Sequence, residues 1–393
     1  MPNRRSAIAL VPTMTVRQSG PDRMVARQQG GSYAGKRSAA ARDAVSYFLM
    51  QNSGLSVRTP DRWLASKPSP AMTNAPRIAP VIELSGLADV AVVHSIGNTP
   101  LVRLRRFERH LGLPGSIEIL LKMEWVNPGG SIKDRTALSI MKAALATGDL
   151  APGRTLIDAT SGNTGIAYAM LGAALGIPIT LVVPESASDE RKRTLAAYGA
   201  NVVYSDPYEG SDGAIRLVRE MVADGSDRYF YADQYNNPAN TAAHFTSTGP
   251  ELWAQTSGRL THFVAALGTT GTLMGAGQYL RGVAPIELIG VQPAEAFHGI
   301  EGLKHLPTAI VPGIFDPSVP DRIEGIDTDE AFDAARALAR VEGYFAGSST
   351  GANLAAAARL GSELAIEGQS ACIVVVGCDG GSRYLSTGLW ELD

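Results

Sequence analysis

Cysteine is scarce in this chain of 393 residues, and histidine is not clustered. The two cysteines, Cys372 and Cys378, are spaced too widely for a Cys-x-x-Cys redox or zinc pair. We expect both to be buried as small apolar side chains. The six histidines form no His-Glu-x-x-His pattern, so no metal site is expected.

Long apolar runs are also missing, since none approaches the roughly 20 residues that a helix needs to span a bilayer. The hydrophobic content of 45% is enough for one large core or two adjoining cores. We therefore expect a soluble protein that has no membrane partner.

Acidic residues are few in residues 1–72, which hold eleven Lys or Arg against three Asp, a net charge of +8. Because the whole chain carries −3, residues 73–393 carry −11. The composition predicts a basic, disordered extension over residues 1–80 and a folded region over 81–393. Import into an organelle is the alternative to a cytoplasmic location, and a translation start at Met72 stays open. Nucleic acid is not expected as a partner, because basic tails are usually solvated.

A lysine at a predicted helix start is the first chemical signal that the sequence does contain. Lys133 lies in the segment Asn127–Arg135, behind two glycines and after the strand-like run Ile117–Met123. The positive end of the helix dipole disfavours a second positive charge at this position. A lysine that must be neutral, or that is consumed in a Schiff base, benefits from such a position.

Three further loops each lie between a strand-like run and a helix-like stretch. Thr160–Gly165 follows the run Thr155–Ala159 and offers hydroxyl, amide and backbone N–H donors, which suit a carboxylate. Gly268–Thr272 can wrap a phosphate, but it lacks the Gly-Lys-Ser/Thr ending of a nucleotide P-loop, so no nucleoside triphosphate is indicated. Gly347–Gly351 lies between a short predicted strand, Tyr344–Ala346, and an Ala-rich helix.

Strand-like runs alternate with helix-like stretches along the chain, which predicts parallel sheets covered by helices. In such folds ligands bind at the carboxyl ends of the strands, where these loops fall. The further strand-like runs are Ile179–Val183, Asn201–Tyr204, Tyr229–Ala232, Phe263–Leu267, Ile286–Val291 and Cys372–Val376.

Six segments together resemble the signatures of the cysteine synthase family, which belongs to the fold-type II pyridoxal phosphate enzymes and has cystathionine β-synthase as a close relative. The resemblance covers roughly residues 88–393. It implies an α/β fold of two open, twisted, mostly parallel sheets flanked by helices, similar to tryptophan synthase β, and a homodimer. It also implies a smaller mobile subdomain at about 135–235 and a larger one from 88–134 plus 236–393. The segments are Ile96–Leu101, Asn127–Arg135, Thr160–Gly165, Gln234–Asn240, Gly268–Thr272 and Arg383–Thr387.

The resemblance also implies roles for individual residues. Lys133 would form the internal aldimine with pyridoxal 5'-phosphate and later act as the base, and Asn163 would hydrogen-bond the cofactor's phenolic oxygen. Ser349 would face the pyridine nitrogen, with Ser348 as the alternative. The cofactor's phosphate would be held by Gly268, Thr269, Thr270, Gly271 and Thr272, where many members have glycine in place of Thr270. The substrate carboxylate would be bound by Thr160, Ser161, Gly162, Thr164 and Gln234.

The implied reaction is a β-replacement that makes L-cysteine from an activated serine and sulfide through an aminoacrylate intermediate. O-acetyl-L-serine is the default first substrate. Lys304, with its neighbour His305, would favour O-phospho-L-serine by binding the phosphate of the leaving group. Two alternatives stay open. One is cystathionine β-synthase, which acts on serine and homocysteine, and the other is a non-catalytic member that binds the C-terminal peptide of serine acetyltransferase.

Overall fold

The structure is a computed structural model that describes residues 87, 89–160, 162–225 and 227–391. These residues all belong to one compact unit, Asn74–Asp393. The predicted basic extension over residues 1–80 lies outside the described residues, and so does Ser161.

The described residues form ten strands and eleven α-helices. The strands are β1 Leu101–Arg103, β2 Ile117–Met123, β3 Thr155–Ala159, β4 Ile179–Pro184, β5 Asn201–Ser205, β6 Tyr229–Tyr231, β7 His262–Ala266, β8 Glu287–Pro293, β9 Arg322–Ile326 and β10 Ala371–Gly377. The helices are α1 Ala91–His94, α2 Arg105–His110, α3 Lys133–Thr147, α4 Asn163–Leu175, α5 Asp189–Ala197, α6 Gly210–Asp224, α7 Pro238–Ala243, α8 Gly249–Gln255, α9 Gly271–Val283, α10 Thr328–Glu342 and α11 Ser348–Ile366.

The strands form two sheets. The smaller sheet has four parallel strands in the order β5-β4-β3-β6, and the larger has six in the order β1-β2-β10-β7-β8-β9. In the larger sheet β1 pairs antiparallel with β2, and the other pairs are parallel. The predicted α/β class with two mostly parallel sheets is confirmed. The smaller sheet falls inside residues 135–235, and the division into a smaller mobile and a larger subdomain stays a prediction.

The composition of β10 explains its central place in the larger sheet. All seven residues of this strand are buried, and its Cys-Ile-Val-Val-Val run is typical of a parallel strand that is covered on both faces. Successive side chains point to opposite faces of a sheet. Ile373 and Val375 join the core cluster that contains α11, whereas Val374 and Val376 join the cluster that contains α9.

The predicted strand Tyr344–Ala346 is wrong. Within this segment only Ala346 pairs, through an isolated antiparallel bridge to Gly380. Because the partner belongs to the loop that follows β10, the segment lies beside the site rather than within the sheet. In the described part of the chain, no helix combines the length and the apolar character that a bilayer crossing requires.

Candidate active site

One pocket collects most of the residues that the sequence analysis selected. Its walls come from the loops that follow β3, β6, β7 and β10, so it lies at the carboxyl ends of strands from both sheets. Thr270 and Gly271 belong to the same loop as three of the lining residues but do not line the pocket themselves. The predicted residues that line it are Lys133, Thr160, Gly162, Asn163, Thr164, Gln234, Gly268, Thr269, Thr272, Lys304 and Ser349.

Lys133 is the first residue of α3, as the sequence predicted. Among the described residues, no acceptor hydrogen-bonds its amine and no acid pairs with it. Burial lowers the pKa of this amine from its usual value, although Cys378, Asp379 and Glu124 act in the opposite direction. A lower pKa favours the neutral amine, which is the form that attacks an aldehyde or accepts a proton.

Asn163 is the first residue of α4, and both ends of its amide are hydrogen-bonded. Its Nδ2 donates to Asp379 Oδ2 over 2.7 Å, and its Oδ1 accepts from Arg383 Nη1. The same Asp379 oxygen accepts from the Tyr384 hydroxyl over 2.6 Å. Asp379, Tyr384 and Arg383 lie far from Asn163 in the sequence. The family-like segment Arg383–Thr387 was recognised without a role for its residues, and Asp379 was not singled out.

The loop that follows β3 folds around the Thr160 hydroxyl, whose oxygen accepts from the backbone N–H groups of Gly162 and Gly165, each over 3.1 Å. Gln234 is buried beside this loop. Its Oε1 accepts from the Thr164 hydroxyl over 2.7 Å, and its Nε2 donates to the Ala159 carbonyl over 2.7 Å. Hydrogen bonds within the protein therefore hold the described residues of this loop.

The loop Gly268–Thr272 ends at the start of α9, which has no side-chain cap. Its first backbone N–H groups are therefore available to an anion. Thr270 has a φ of 70°, which explains why glycine suits this position, and its buried hydroxyl has no partner among the described residues. A Cβ on Gly268 would lie 2.2 Å from the Gly302 carbonyl oxygen, so the loop packs closely against residues 301–304.

The first turn of α11 separates the two serine candidates. Ser349 lines the pocket, whereas Ser348 is buried and its hydroxyl has no partner in the described part of the chain. Cys372 is buried as expected, but Cys378 is half-buried and lines the pocket beside Ser349. Burial raises the pKa of the Cys378 thiol to about 11, so this thiol is protonated at neutral pH.

Three polar contacts in or near the pocket were not indicated by the sequence. Arg191 of α5 pairs with Glu301, the Ser386 hydroxyl donates to Glu190 Oε2 over 2.9 Å, and Lys304 pairs with Asp212 of α6 over 2.7 Å. Each joins the segment 187–212 to a later part of the chain. Because the partners are more than 90 residues apart, no short motif connects them.

Lys304 is buried, and its amine also lies 5.0 Å from the centre of the Tyr235 ring. The predicted cationic neighbour, His305, does not line the pocket, and its Nδ1 contacts the Thr308 hydroxyl over 2.8 Å. The two cations were expected to act as a pair at the pocket entrance. In the structure Lys304 alone reaches the pocket, and its charge is balanced by Asp212.

A second cluster of charges lies outside the pocket lining. We call it the ionic cluster, and it consists of Lys122, Glu124, Arg135 and Glu251. Arg135 Nε donates to Glu124 Oε2 and its Nη1 to Glu251 Oε1, each over 2.7 Å. The Lys122 amine donates to Glu251 Oε2 over 2.7 Å and to the Thr99 carbonyl over 2.8 Å. Two positive and two negative charges therefore balance within it.

The pocket fits pyridoxal 5'-phosphate. An amine without a partner suits the cofactor's aldehyde, and the uncapped start of α9, with the unpartnered Thr270 hydroxyl, suits its phosphate. Across the described residues, no three His, Cys, Asp or Glu side chains are placed to hold a metal ion. Together with the two sheets, these features define a fold-type II pyridoxal phosphate enzyme.

Comparison with known proteins leads to the same class. The profile of the family described as "Pyridoxal-phosphate dependent enzyme" matches residues 92–379. The cysteine synthase of Aquifex aeolicus (strain VF5) is 52% identical over 301 residues, which cover 76% of this chain and 92% of that protein. Cysteine synthase B of Escherichia coli (strain K12) is 43% identical over 297 residues, which cover 75% of this chain and 94% of that protein.

Solved structures are similar as well. O-acetyl serine sulfhydrylase isoform 3 from Entamoeba histolytica superposes with a TM-score of 0.72 at 37% identity and covers 77% of this chain and 91% of that one. The structure of an O-ureido-L-serine synthase superposes with a TM-score of 0.70 at 38% identity and covers 77% of this chain and 95% of that one. The chain belongs to the cysteine synthase family of pyridoxal phosphate-dependent enzymes. The predicted family, enzyme class and cofactor are confirmed.

Proposed function

We propose that this enzyme makes L-cysteine and acetate from O-acetyl-L-serine and sulfide. The observation that carries the proposal is the Lys133 amine, which has no partner among the described residues and lies in a pocket built for a carboxylate and a phosphate. The names of the relatives support this activity, since they include cysteine synthases and an O-acetyl serine sulfhydrylase.

In this proposal the Lys133 amine binds the cofactor's aldehyde, and Asn163 donates to its phenolic oxygen. Ser349 would face the pyridine nitrogen, because it lines the pocket and Ser348 does not. The phosphate is held by Gly268, Thr269, Thr270, Gly271 and Thr272. When bound, the cofactor supplies the electron sink that lets an amino acid lose its α-proton.

The chain's own residues then orient the substrate and move the proton. The carboxylate is bound by the loop Thr160, Ser161, Gly162 and Thr164 together with Gln234, whose amide is already aligned by Thr164. The lowered pKa of Lys133 suits an amine that takes the α-proton at neutral pH. Loss of the β-acetoxy group breaks the carbon–oxygen bond, and sulfide forms the new carbon–sulfur bond at the same carbon.

The ion pair between Lys304 and Asp212 favours the acetyl ester over the phosphate ester. A phosphate at Lys304 would compete with Asp212 for a buried amine, and the acid left behind would need another partner. The role of Lys304 in binding O-phosphoserine stays a prediction. Lys304→Ala would then raise the Michaelis constant for O-phosphoserine far more than for O-acetylserine, whereas Lys192→Ala, at a half-buried lysine outside the pocket, would change neither.

We further propose that the enzyme acts as a cytoplasmic homodimer, with an amino acid and a sulfur donor as its small-molecule partners. Organelle import is the alternative location. The open mouth of the pocket also suits the C-terminal peptide of serine acetyltransferase, whose terminal carboxylate would use the substrate loop Thr160–Thr164. Binding of that peptide in competition with O-acetylserine tests this partner.

A substrate panel tests the proposed function directly. Cofactor-saturated enzyme is given O-acetylserine with sulfide, O-phosphoserine with sulfide, and serine with homocysteine. We expect the first pair to be the best substrates, and a preference for serine with homocysteine would contradict the proposal. Borohydride reduction of the loaded enzyme followed by peptide mapping should place the pyridoxyl group on Lys133, and an adduct on another lysine would overturn the assignment.

A further inference from the structure

The segment Arg383–Thr387 resembles the family signature, but no role was assigned to it. In the structure the Arg383 guanidinium connects two other segments. Its Nη2 donates to the Gly129 carbonyl oxygen and its Nη1 to Asn163 Oδ1. The planar guanidinium presents several donors in fixed directions, so one arginine can hold both acceptors at a set separation.

The Gly129 peptide is held from its other side as well. Its N–H donates to Asp134 Oδ2 over 2.5 Å, and Asp134 is fully buried. A Cβ on Gly129 would lie 2.4 Å from Asp134 Oδ1, and a Cβ on Gly130 would lie 2.6 Å from Arg383 Nη2. A side chain at either glycine would therefore displace one of the two side chains that hold this turn, and Gly130 also has a φ of 78°.

The partners of Asn163 determine the direction of its amide. A guanidinium has only donors, so the oxygen of the amide must face Arg383. The nitrogen then faces Asp379, which accepts one of its two hydrogens. The second hydrogen remains for a ligand in the pocket that Asn163 lines.

We propose that Arg383 is a positioning residue, anchored through the Gly129 peptide by Asp134, that holds the Asn163 amide so that its nitrogen donates to the cofactor's phenolic oxygen. This inference rests on the proposed function, because it assumes pyridoxal phosphate in this pocket. Arg383 acts through Asn163. Its loss should therefore weaken the hydrogen bond to the cofactor's phenolic oxygen, while the phosphate still binds.

The test compares Arg383→Lys with the wild type after both are saturated with pyridoxal phosphate. Lysine keeps the charge but cannot hold both acceptors in the same geometry. We expect kcat to fall roughly 10- to 100-fold, the rate equivalent of one hydrogen bond to a charged group, with KM changed less. We also expect a change in the ratio of the two visible absorbance bands of the bound cofactor, because a hydrogen bond to the phenolic oxygen sets its tautomer ratio.

Arg336→Lys is the matched control. Arg336 also binds backbone carbonyls, those of Leu389, Gly388 and Glu391, but it lies outside the pocket. The Arg336→Lys substitution should leave the absorbance band ratio and kcat unchanged. Asp134→Asn keeps an acceptor for the Gly129 N–H, so its band ratio should lie closer to that of the wild type than the ratio of Asp134→Ala does.

The outcomes separate this inference from the proposed function. A borohydride adduct on Lys133 in both proteins, together with an unchanged band ratio in Arg383→Lys, overturns the positioning role and leaves the proposed function intact. Absence of the adduct in the wild type overturns both. An equal loss of kcat in Arg383→Lys and Arg336→Lys also overturns the inference, because it indicates a general structural effect.

Discussion

Two buried polar clusters meet at the start of α3, and their hydrogen bonding differs. In the ionic cluster every charged side chain has partners, and Arg135 alone makes six hydrogen bonds. Each of four residues that directly neighbour a pocket-lining residue in the sequence, without lining the pocket themselves, has one buried oxygen atom with no partner among the described residues. We call these the pocket cluster: Asp134, Thr270, Ser348 and Asp379.

Arg135 and Asp134 are neighbours in the sequence, yet they belong to opposite clusters. A buried polar group without a partner destabilises the folded state, so it persists only where something else favours it. The charges of the ionic cluster are thus satisfied within the protein, whereas the pocket cluster keeps unmet hydrogen-bonding capacity next to residues that line the pocket.

The largest expected effect follows from removing the one lysine of the pocket that no described residue pairs with. Lys133→Ala should lower kcat roughly 10²- to 10⁴-fold or more, because it removes both the group that binds the aldehyde and the base. Cofactor binding through the phosphate loop should persist in a titration. Lys142→Ala, on the same helix but exposed and outside the pocket, should turn over as fast as the wild type.

Substitutions in the ionic cluster should change the free energy of unfolding rather than the rate of the reaction. Arg135→Met leaves Glu124 buried without a cation and leaves Glu251 with Lys122 alone, so we expect the free energy of unfolding to fall by about 3–5 kcal/mol in urea. The exposed pair Arg216–Glu209 provides the control, since Arg216→Met should lose at most about 1 kcal/mol. Similar losses in the two variants would mean that the cluster is not the stabilising element we describe.

The two clusters should also differ in the sign of their pH dependence. Burial raises the pKa of Asp134 to about 7, only partly offset by the hydrogen bond from Gly129. Burial would raise the pKa of Glu251 too, but hydrogen bonds from Arg135 and Lys122 lower it to about 2. The contribution of Asp134 to the free energy of unfolding is present below its unfolded pKa near 4 and is lost as pH rises through 7. The contribution of Glu251 is instead present above pH 4.5 and is lost as pH falls toward 2.

Denaturant titrations at several pH values test this difference. Asp134→Asn should remove a fall in unfolding free energy of up to about 1.4 kcal/mol per pH unit between pH 5 and 7. Glu251→Gln should instead flatten the curve below pH 4. If Asp134→Asn leaves the slope between pH 5 and 7 unchanged, the carboxyl is not protonated in the folded state.

The smallest effect is expected at Thr270. Glycine there relieves the φ of 70° but adds backbone entropy to the unfolded chain, so Thr270→Gly should change the unfolding free energy of the cofactor-free protein by less than about 1 kcal/mol. Loss of the unpartnered hydroxyl should weaken pyridoxal phosphate binding roughly 5- to 10-fold in an absorbance titration. Thr270→Ser keeps the hydroxyl and should bind the cofactor as the wild type does.

The sequence indicated those parts of the site that depend on neighbouring residues. The strand before each loop, the helix after it and the small polar residues between them are local, so the positions of Lys133, Asn163 and the loop Gly268–Thr272 were predictable. Charge pairs between distant segments could not be predicted from the sequence, and the pairs Arg191–Glu301 and Lys304–Asp212 are seen only in the structure. The partner of Lys304 changes the interpretation of that residue, because a lysine read as a free phosphate ligand proves to be neutralised.

The central place of β10 has a consequence for synthesis of the protein. β10 separates β2 from β7 in the larger sheet, and it leaves the ribosome about 250 residues after β2. Until it inserts, β2 and β7 each present an unpaired edge that attracts other chains. Pairing across so long a separation is slow, so we expect completion of this sheet to be a late folding event and the yield of refolded enzyme to fall as protein concentration rises.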